Sequence, residues 1–430
     1  MNGWQAGSND RIDASHKISI VMIRYHSQPI FPCLPIVTLT QEKSGKNIAL
    51  EGLRGIASLI VVLSHCAYAF FPFLHTSNPA QLIATWEVYL MNSAGRVIYE
   101  GDFSVAVFFV MSGYVLSRKF FSTGEFGSLL IAICKRYLRL GIPVLAAVIL
   151  GYLLMKVGAF REGATSPSGF LSAAYQFPPS AADAVGDGLY RSLALGESRY
   201  DYILWTINIE FIGSIALFMF LAWIGKIRHA AWAALALSIA VIALRFNDGL
   251  LYALFLAGAY MHIWQKKATH WAISLALVCI GLFLGGYSPA STAYGSVVDF
   301  AVWCEQHGLR LNWPIFFHCA GAVLLVTAGV NVNAFSRVLA SRPLAWLGKI
   351  SFSLYLVHSF VLSSIGALVY ALAGSHKQAG GALATIATVA ISLIAAAIFE
   401  RLADGPSVRL ANAFAKRADR LPFVGHATKN

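Results

Sequence analysis

The stretch LEGLRGIASLIVVLSHCAYAFFP, residues 50–72, decides the fold class of this chain. Ten uncharged and mostly apolar residues separate Arg54 from His65. A helix of roughly 20 apolar residues is long enough to cross the hydrocarbon core of a membrane. We therefore predict a membrane-spanning helix at 52–72, with a cation near one end and an imidazole inside the span.

The composition of the whole chain agrees with this interpretation. Hydrophobic residues make up 57% of the 430 residues and charged residues only 12%, about half the share found in soluble globular proteins. Apolar runs of this length, without the alternation of a barrel strand, predict an all-α, polytopic transmembrane bundle of about ten helices. The ten predicted spans are 52–72, 102–118, 139–157, 202–224, 230–245, 249–264, 271–287, 314–331, 350–372 and 381–400.

The distribution of basic residues predicts the orientation of the bundle. Most of the 32 Lys and Arg residues fall in segments that are cytoplasmic if the N-terminus lies inside. Both termini are therefore expected in the cytoplasm, with a disordered arm at 1–48, a membrane domain at 49–402 and a tail at 403–430. This topology accounts for the basic surplus, so no nucleic-acid partner is expected. The six cysteines have no CxxC pairing, and we predict no disulfide framework and no metal site.

Arg54 and His65 are predicted to share one face of the first helix. Eleven residues bring the two side chains within about 20° of each other around the axis and about 16 Å apart along it. Polar groups at such depth usually face the bundle interior or a water-filled cavity. The two residues are therefore expected to line one internal route. An interhelical hydrogen bond from His65 and snorkelling of Arg54 remain an alternative.

Two further spans bring polar groups toward the depth of His65. Glu210, in YILWTINIEFIGS, is predicted close to His65 and able to orient its ring. In ISFSLYLVHSF, Ser351, Tyr355 and His358 recur at helical spacing and form one stripe. A polar stripe should face the interior rather than lipid, where it lines either a pocket or a hydrogen-bonded seam.

A basic cluster is predicted at the cytoplasmic mouth. The segment CKRYLRLGIPV places Lys135, Arg136 and Arg139 on one helix face. Together with Arg54 they are suited to binding phosphate oxygens. Ordinary anchoring by positive charges at the inner membrane surface is the alternative explanation.

These segments together resemble acyltransferase family 3, the bacterial integral-membrane O-acyltransferases of surface and secreted carbohydrates. The resemblance rests on Arg-x10-His at Arg54 and His65, and on four blocks that follow in order: VAVFFVMSGYVL, KRYLRLGIP, LWTINIE and LGKISFSLYLVH. It covers about residues 50–400. It implies ten core helices, an acyl-CoA donor, usually acetyl-CoA, and a multi-pass protein of the bacterial inner membrane. It also implies importance for Arg54, His65, Arg136, Arg139, Glu210, Tyr355 and His358.

The residues and the resemblance fit one mechanism. Acyl-CoA enters from the cytoplasm and its phosphates bind Arg54, Lys135, Arg136 and Arg139. His65, oriented by Glu210, removes a proton from a hydroxyl of a cell-envelope, exported or lipid-linked carbohydrate. A transient acyl-histidine would use the same geometry.

The other site assignments are as follows. Tyr355 and His358 join His65 and Glu210 as catalytic candidates, with Tyr355, Ser351 or His358 donating to the oxyanion. Ser112, Ser351 and Trp205 are assigned to substrate binding. No tightly bound cofactor is expected.

A second hypothesis comes from another functional class. A proton-coupled secondary transporter or exporter would also contain buried ionisable groups such as His65, Glu210 and His358. It does not explain a basic cytoplasmic mouth aligned with a buried histidine. An inactive scaffold in an envelope-assembly complex is a third possibility.

Overall fold

A computed structural model describes residues 47–160, 167–245, 248–264, 270–331, 333–418 and 420. Helix is the regular secondary structure of these residues, and no strand occurs among them. The predicted all-α fold is confirmed for this part of the chain. The predicted arm at 1–48 lies outside the described residues except for its last two, and the tail is described only as far as 420.

Among the described residues, ten helices of 15 residues or more lie where the apolar runs predict them. They are α1 Ile48–Phe70, α2 Gly101–Thr123, α3 Leu129–Lys156, α4 Trp205–Trp223, α5 Ala230–Leu244, α6 Gly249–Trp264, α7 Trp271–Gly285, α8 Trp313–Val330, α9 Arg342–Val361 and α10 Lys377–Phe399. Shorter helices are Phe73–Thr76, Thr85–Met91, Phe170–Ala173, Ala181–Gly186, Gly295–Gln306 and Ala334–Leu339. Two helices extend past a π turn: α9 through Leu362–Gly366 into Ala367–Leu372, and α10 through Glu400–Asp404 into Gly405–Ala418.

Seven of the described helical segments are long and apolar enough to cross a membrane. They contain α1, α2, α3, α4, α8, α9 and α10. The helices α5, α6 and α7 are apolar but only 15 or 16 residues long. A multi-pass membrane protein is therefore supported, while the count of about ten spans and the cytoplasmic termini stay predictions.

The third helix begins ten residues earlier than predicted. Ser128 caps the N-terminus of α3, accepting a hydrogen bond from the Ile131 amide at 3.4 Å. Arg136 and Arg139 consequently lie inside the helix rather than at its start. The predicted boundary at 139 was wrong because each guanidinium has a carboxylate partner on another helix, which removes the need to keep these residues at the membrane surface.

The close packing of α1 against α9 sets the position of the functional site. A Cβ atom at Gly55 would lie 2.6 Å from the backbone nitrogen of Gly348, so the two helices touch through their backbones here. His65 lies ten residues after Gly55, and His358 lies ten residues after Gly348. Because both pairs are in contact, the helices run parallel and in register between them. The glycine crossing thereby brings the two histidines together.

The helix α2 occupies the middle of the bundle. It packs against α1, α4, α6 and α8. Its N-terminus lies beside α1, because a Cβ atom at Gly101 would be 2.8 Å from the hydroxyl oxygen of Ser64. The start of α2 is therefore next to the residue that precedes His65.

Candidate functional site

Two histidines from different helices form the centre of the candidate site. The Nε2 atom of His358 lies 3.1 Å from the Nδ1 atom of His65. His358 is completely buried, whereas His65 keeps part of its surface accessible. The prediction that Ser351, Tyr355 and His358 face the interior is confirmed, since Ser351 and Tyr355 are buried as well.

The hydrogen bonds of this pair fix the tautomers of the neutral rings. The Nδ1 atom of His358 lies 2.7 Å from the Tyr355 carbonyl oxygen. A carbonyl oxygen only accepts, so Nδ1 of His358 carries the proton and its Nε2 atom accepts. His65 must then donate from Nδ1, which also lies 3.1 Å from the Val61 carbonyl oxygen. The Nε2 atom of His65 therefore carries a free lone pair, the state that a general base needs.

Aromatic rings from the segment between α3 and α4 cover His65. Phe170 stacks on the imidazole with 6.1 Å between ring centroids and 19° between planes. Tyr202 meets the same imidazole at 6.1 Å in an edge-on arrangement. The Tyr202 hydroxyl is buried and makes no hydrogen bond of normal geometry, although the Ser363 hydroxyl is close enough to interact with it. A phenol of this kind is an available donor beside the histidine.

A second polar group lies behind Tyr202. Asp201 is completely buried and accepts a 2.7 Å hydrogen bond from the hydroxyl of Ser359, the neighbour of His358. The second carboxyl oxygen of Asp201 and the hydroxyl of Tyr175 are buried without partners. Burial raises the pKa of the Asp201 carboxyl well above its ordinary range, although the hydrogen bond from Ser359 acts against this shift. Unpaired buried polar atoms carry a free-energy cost that a bound water or a polar ligand can offset.

Glu210 does not occupy the position beside His65 that the sequence analysis assigned to it. The Glu210 carboxylate accepts a 2.7 Å hydrogen bond from Ser112 and forms an ion pair with Arg136. Arg136 also donates from Nε to Ser214 at 2.9 Å. The physical reason is the early start of α3, which carries Arg136 to the depth of Glu210. His358 has the orienting position instead.

The predicted basic cluster is present, but most of its charge is neutralised. Arg139 pairs with Asp404 at 2.5 Å, and Arg136 pairs with Glu210 as described above. Arg54 is close enough to Arg136, Arg139 and Asp404 to interact with all three electrostatically. We call the part of the bundle around these residues the basic end.

Arg54 is the most available guanidinium of the cluster. Its single described ion pair is a 3.5 Å contact with Glu51, and a third of its side chain is exposed. Lys135 is exposed. A phosphate at the basic end would therefore meet Arg54 and Lys135 more readily than the paired Arg136 and Arg139.

The interior between Arg54 and His65 is packed rather than open. Ser58 and Val61 lie between them on the same face of α1, with 0% and 2% of their surfaces exposed. This strip faces α9 across the in-register contact that begins at Gly348. The expected common route does not run along this face of α1 in the structure described.

Two predicted site residues of α9 have other hydrogen-bond partners. The Tyr355 hydroxyl donates to the Ile203 carbonyl oxygen at 2.6 Å and lies 2.5 Å from the Thr206 hydroxyl. Its only proton is used here, so donation by Tyr355 to an oxyanion would require this hydrogen bond to break. Ser351 donates to the Gly348 carbonyl oxygen within its own helix. Tyr355 thereby joins α9 to the start of α4, whereas the Ser351 hydrogen bond stays within α9.

Trp205 begins α4. It lines a cavity with Asp102 and His318, and 43% of its surface is exposed. The five described cysteines are free, and Cys33 lies outside the described residues.

Sequence reasoning missed Phe170, Asp201, Tyr202, Ser359 and Asp404. Phe170 and Asp201 lie in a connecting segment whose path no helical period predicts. The sequence contains a clue to two of the remaining residues, Ser359 and Asp404. Ser359 directly follows His358, and Asp404 follows α10 in FERLADGPSVRL, where a carboxylate between apolar residues needs a basic partner.

Comparisons with known proteins identify the family of the chain. Residues 47–401 match the acyltransferase domain of acyltransferase family 3. The O-acetyltransferase PaAT-1 of Phomopsis amygdali is 27% identical over 74% of this chain and 72% of its own length. Acyltransferase R4 of Phoma sp. is 25% identical over 87% of this chain and 96% of its own length, and acyltransferase clz18 of Cochliobolus lunatus is 24% identical over 83% and 93%. No solved structure matches.

The family match covers most of the chain and nearly all of its described helices. The expectation of an O-acyltransferase is confirmed by this match together with the O-acetyltransferase among the relatives. The chain belongs to acyltransferase family 3.

Proposed function

We propose that the protein transfers an acyl group, with acetyl as the first choice, from acyl-CoA to a hydroxyl group, and that His65 is the general base. The observation that carries this proposal is the hydrogen bond between His65 and His358. It leaves the Nε2 lone pair of His65 free in a ring whose surface is still accessible.

The chemical steps follow from that lone pair. His65 Nε2 takes the proton of the acceptor hydroxyl while the hydroxyl oxygen attacks the thioester carbonyl carbon. The carbon–sulfur bond then breaks, and the His65 imidazolium returns the proton to the departing thiolate of CoA. The imidazolium is stabilised by the Nε2 lone pair of His358 and the Val61 carbonyl oxygen, both of which accept from its Nδ1 proton.

The Tyr202 hydroxyl is our proposed donor to the oxyanion. It is buried, makes no hydrogen bond of normal geometry and belongs to a ring in contact with His65. Preorganised donors of this kind stabilise the charge that develops on the carbonyl oxygen in the transition state. This assignment replaces Tyr355, whose proton is already donated to Ile203.

The donor is proposed to bind at the basic end with its phosphates near Arg54 and Lys135. Phosphate oxygens would compete with the 3.5 Å contact between Arg54 and Glu51. Because Ser58 and Val61 close the strip between Arg54 and His65, the pantetheine arm reaches His65 only by another path or after α1 and α9 separate there. The distance to be bridged, about 16 Å along α1, suits an extended arm.

The acceptor is proposed to be a carbohydrate hydroxyl of the cell envelope or of an exported product. The aromatic rings of Phe170 and Tyr202, with the unpaired oxygens of Asp201 and Tyr175, provide stacking surfaces and hydrogen-bond partners of the kind a sugar uses. The bacterial inner membrane belongs to this proposal through the family resemblance. The three relatives are fungal, so they give no support to that location.

The transporter hypothesis is set aside. Its strongest support was a set of buried ionisable groups without another explanation. In the structure, Glu210 is paired with Arg136 instead of forming a relay with His65 and His358. The family match supports acyl transfer rather than transport.

Purified full-length protein in detergent with acetyl-CoA labelled in the acetyl group tests the reaction class. We expect the labelled thioester to be consumed, slowly by hydrolysis alone and faster when an acceptor is present. Mass spectrometry of envelope and exported sugars from cells with and without the protein identifies the acceptor. Intact acetyl-CoA under all conditions would contradict the proposal, and an unchanged set of acetylated sugars would contradict its carbohydrate part.

A further inference from the structure

A second cluster of ionisable side chains lies on the flank of α1 that meets the start of α2. Glu100, Asp102 and His318 each provide one atom suited to binding a metal, and the three atoms lie within 4.8 Å of one another. The first two residues are at the N-terminus of α2, and His318 is on α8. More than 200 residues separate the acids from the histidine, so no sequence spacing could have indicated this cluster.

The imidazole of His318 has one unused nitrogen. Its Nε2 atom lies 3.1 Å from the Tyr287 carbonyl oxygen and must donate to it, because a carbonyl only accepts. The Nδ1 atom therefore carries the lone pair. It is buried and has no hydrogen-bond partner, while only 4% of the whole residue is exposed. A histidine that donates one N–H to a carbonyl and presents its other nitrogen to carboxylates has the arrangement of a metal ligand.

The two carboxylates retain oxygens for a cation. Arg96 donates to one oxygen of Glu100 at 2.9 Å and leaves the other available. Asp102 lines a cavity of about 120 Å³ together with His318, Cys319 and Asp248. This volume exceeds the space needed for a single water, so water can complete a coordination sphere from this side.

We infer that Glu100, Asp102 and His318 bind one divalent cation and that Zn²⁺ is the ion best matched to them. One imidazole nitrogen with two carboxylate oxygens is a donor set that Zn²⁺ accepts, whereas Mg²⁺ and Ca²⁺ prefer oxygen ligands alone. Three protein ligands leave a fourth position, which opens to the cavity beside Trp205. The ion would join α2 to α8 next to Ser64, the neighbour of His65.

The charge balance of the cluster also favours a cation. Two carboxylates face one guanidinium, that of Arg96, so one negative charge remains when the imidazoles are neutral.

Metal content of the purified full-length protein tests the inference without reference to activity. We expect about one zinc per chain by elemental analysis after growth in zinc-containing medium and purification without chelator. Asp102→Asn and His318→Ala should lose the metal. The control His307→Ala, which removes an exposed histidine from the segment between α7 and α8, should retain it. His318→Ala removes a buried ring and can impair folding. If it does, the milder Asp102→Asn still tests metal binding.

A second measurement identifies the ion. Chelation should lower the thermal unfolding midpoint of the wild type, and Zn²⁺, but not Mg²⁺ or Ca²⁺, should restore it. Co²⁺ should bind to the chelated wild type and give visible absorption bands that Asp102→Asn lacks. Zinc content unchanged in Asp102→Asn, or metal-free protein whose midpoint no added ion shifts, would overturn the inference. Neither measurement depends on the acyl-transfer proposal.

Discussion

The Nε2 atom of His358 accepts a hydrogen bond from the Nδ1 atom of His65 across the contact between α1 and α9. In a catalytic triad a carboxylate has this role. Here a neutral imidazole, fixed by the Tyr355 carbonyl oxygen, orients the base without adding a negative charge to the interior of the bundle.

Replacing His358 tests this orienting role. His358→Ala should lower kcat about 10- to 100-fold and leave KM for acyl-CoA nearly unchanged, because the donor is proposed to bind elsewhere. His358→Asn retains a hydrogen-bonding side chain at this position and should recover part of the loss. The exposed His307→Ala serves as control. A wild-type kcat in a well-folded His358→Ala protein would rule out the orienting role.

The ion pair between Arg136 and Glu210 should matter chiefly for folding. Arg136→Gln or Glu210→Gln leaves one charge without its partner inside the bundle, which costs about 3–5 kcal/mol. The double variant should be more stable than either single variant. Thermal unfolding in detergent measures this, and the ion pair of Lys349 with Glu400, whose Lys349 side chain is 62% exposed, is the control. Additive losses in the double variant would show that the two groups are not energetically coupled.

Arg54 should contribute to donor binding. Arg54→Gln is expected to raise KM for acetyl-CoA about tenfold while kcat changes little, because a charge-assisted contact to phosphate is lost outside the reacting centre. Added salt should weaken donor binding in the wild type more than in the variant. The control Lys349→Gln removes an exposed cation on α9 and should leave KM for acetyl-CoA unchanged. Equal KM values for wild type and Arg54→Gln would contradict the proposal that Arg54 binds the phosphates of the donor.

The glycine crossing should be essential for both folding and activity. A Cβ at Gly348 would overlap the Glu51 backbone, so Gly348→Ala must push α1 away from α9. We expect a loss of about 1–3 kcal/mol in stability, and a larger loss of activity because the histidine pair separates. Gly295→Ala, where a Cβ meets nothing within 4 Å, is the control. Wild-type activity in Gly348→Ala would mean that the register of α1 and α9 does not position His65.

Asp201 should impose a pH dependence on stability. Burial raises the pKa of its carboxyl in the folded protein, so the folded state keeps the proton at pH values where the unfolded state loses it. The associated stability is complete below the unfolded pKa, near 4, and is lost as pH rises toward the folded pKa. Asp201→Asn cannot ionise, so its unfolding midpoint should fall less than that of the wild type between pH 4 and 8. Parallel profiles for the two proteins would contradict a neutral buried carboxyl.

The positions of the helices could be predicted because the length of an apolar run is read directly from the local sequence. The ten long helices lie at the predicted positions, and the errors are at their ends. Ser128 caps α3 ten residues before the predicted start. The first turns of α3 contain charged residues such as Arg136, which are not expected in a membrane span unless an ion-pair partner on another helix is known.

The choice of partners could not be predicted from the sequence. The period of α1 correctly put Arg54 and His65 on one face, but it does not say what packs between them. Ser58 and Val61 fill that space because α1 and α9 touch at glycines. Likewise, the depth of Glu210 suggested His65 as its partner, whereas a buried guanidinium from α3 satisfies the carboxylate.

The most direct test of the account is acetyl transfer by His65→Ala compared with wild type at equal amounts of folded, membrane-inserted protein. Loss of the base should reduce the rate of transfer from labelled acetyl-CoA by about 10²- to 10⁴-fold, with donor binding retained. A transfer rate close to that of the wild type would contradict the assignment of His65 as general base, and with it the mechanism built on the histidine pair.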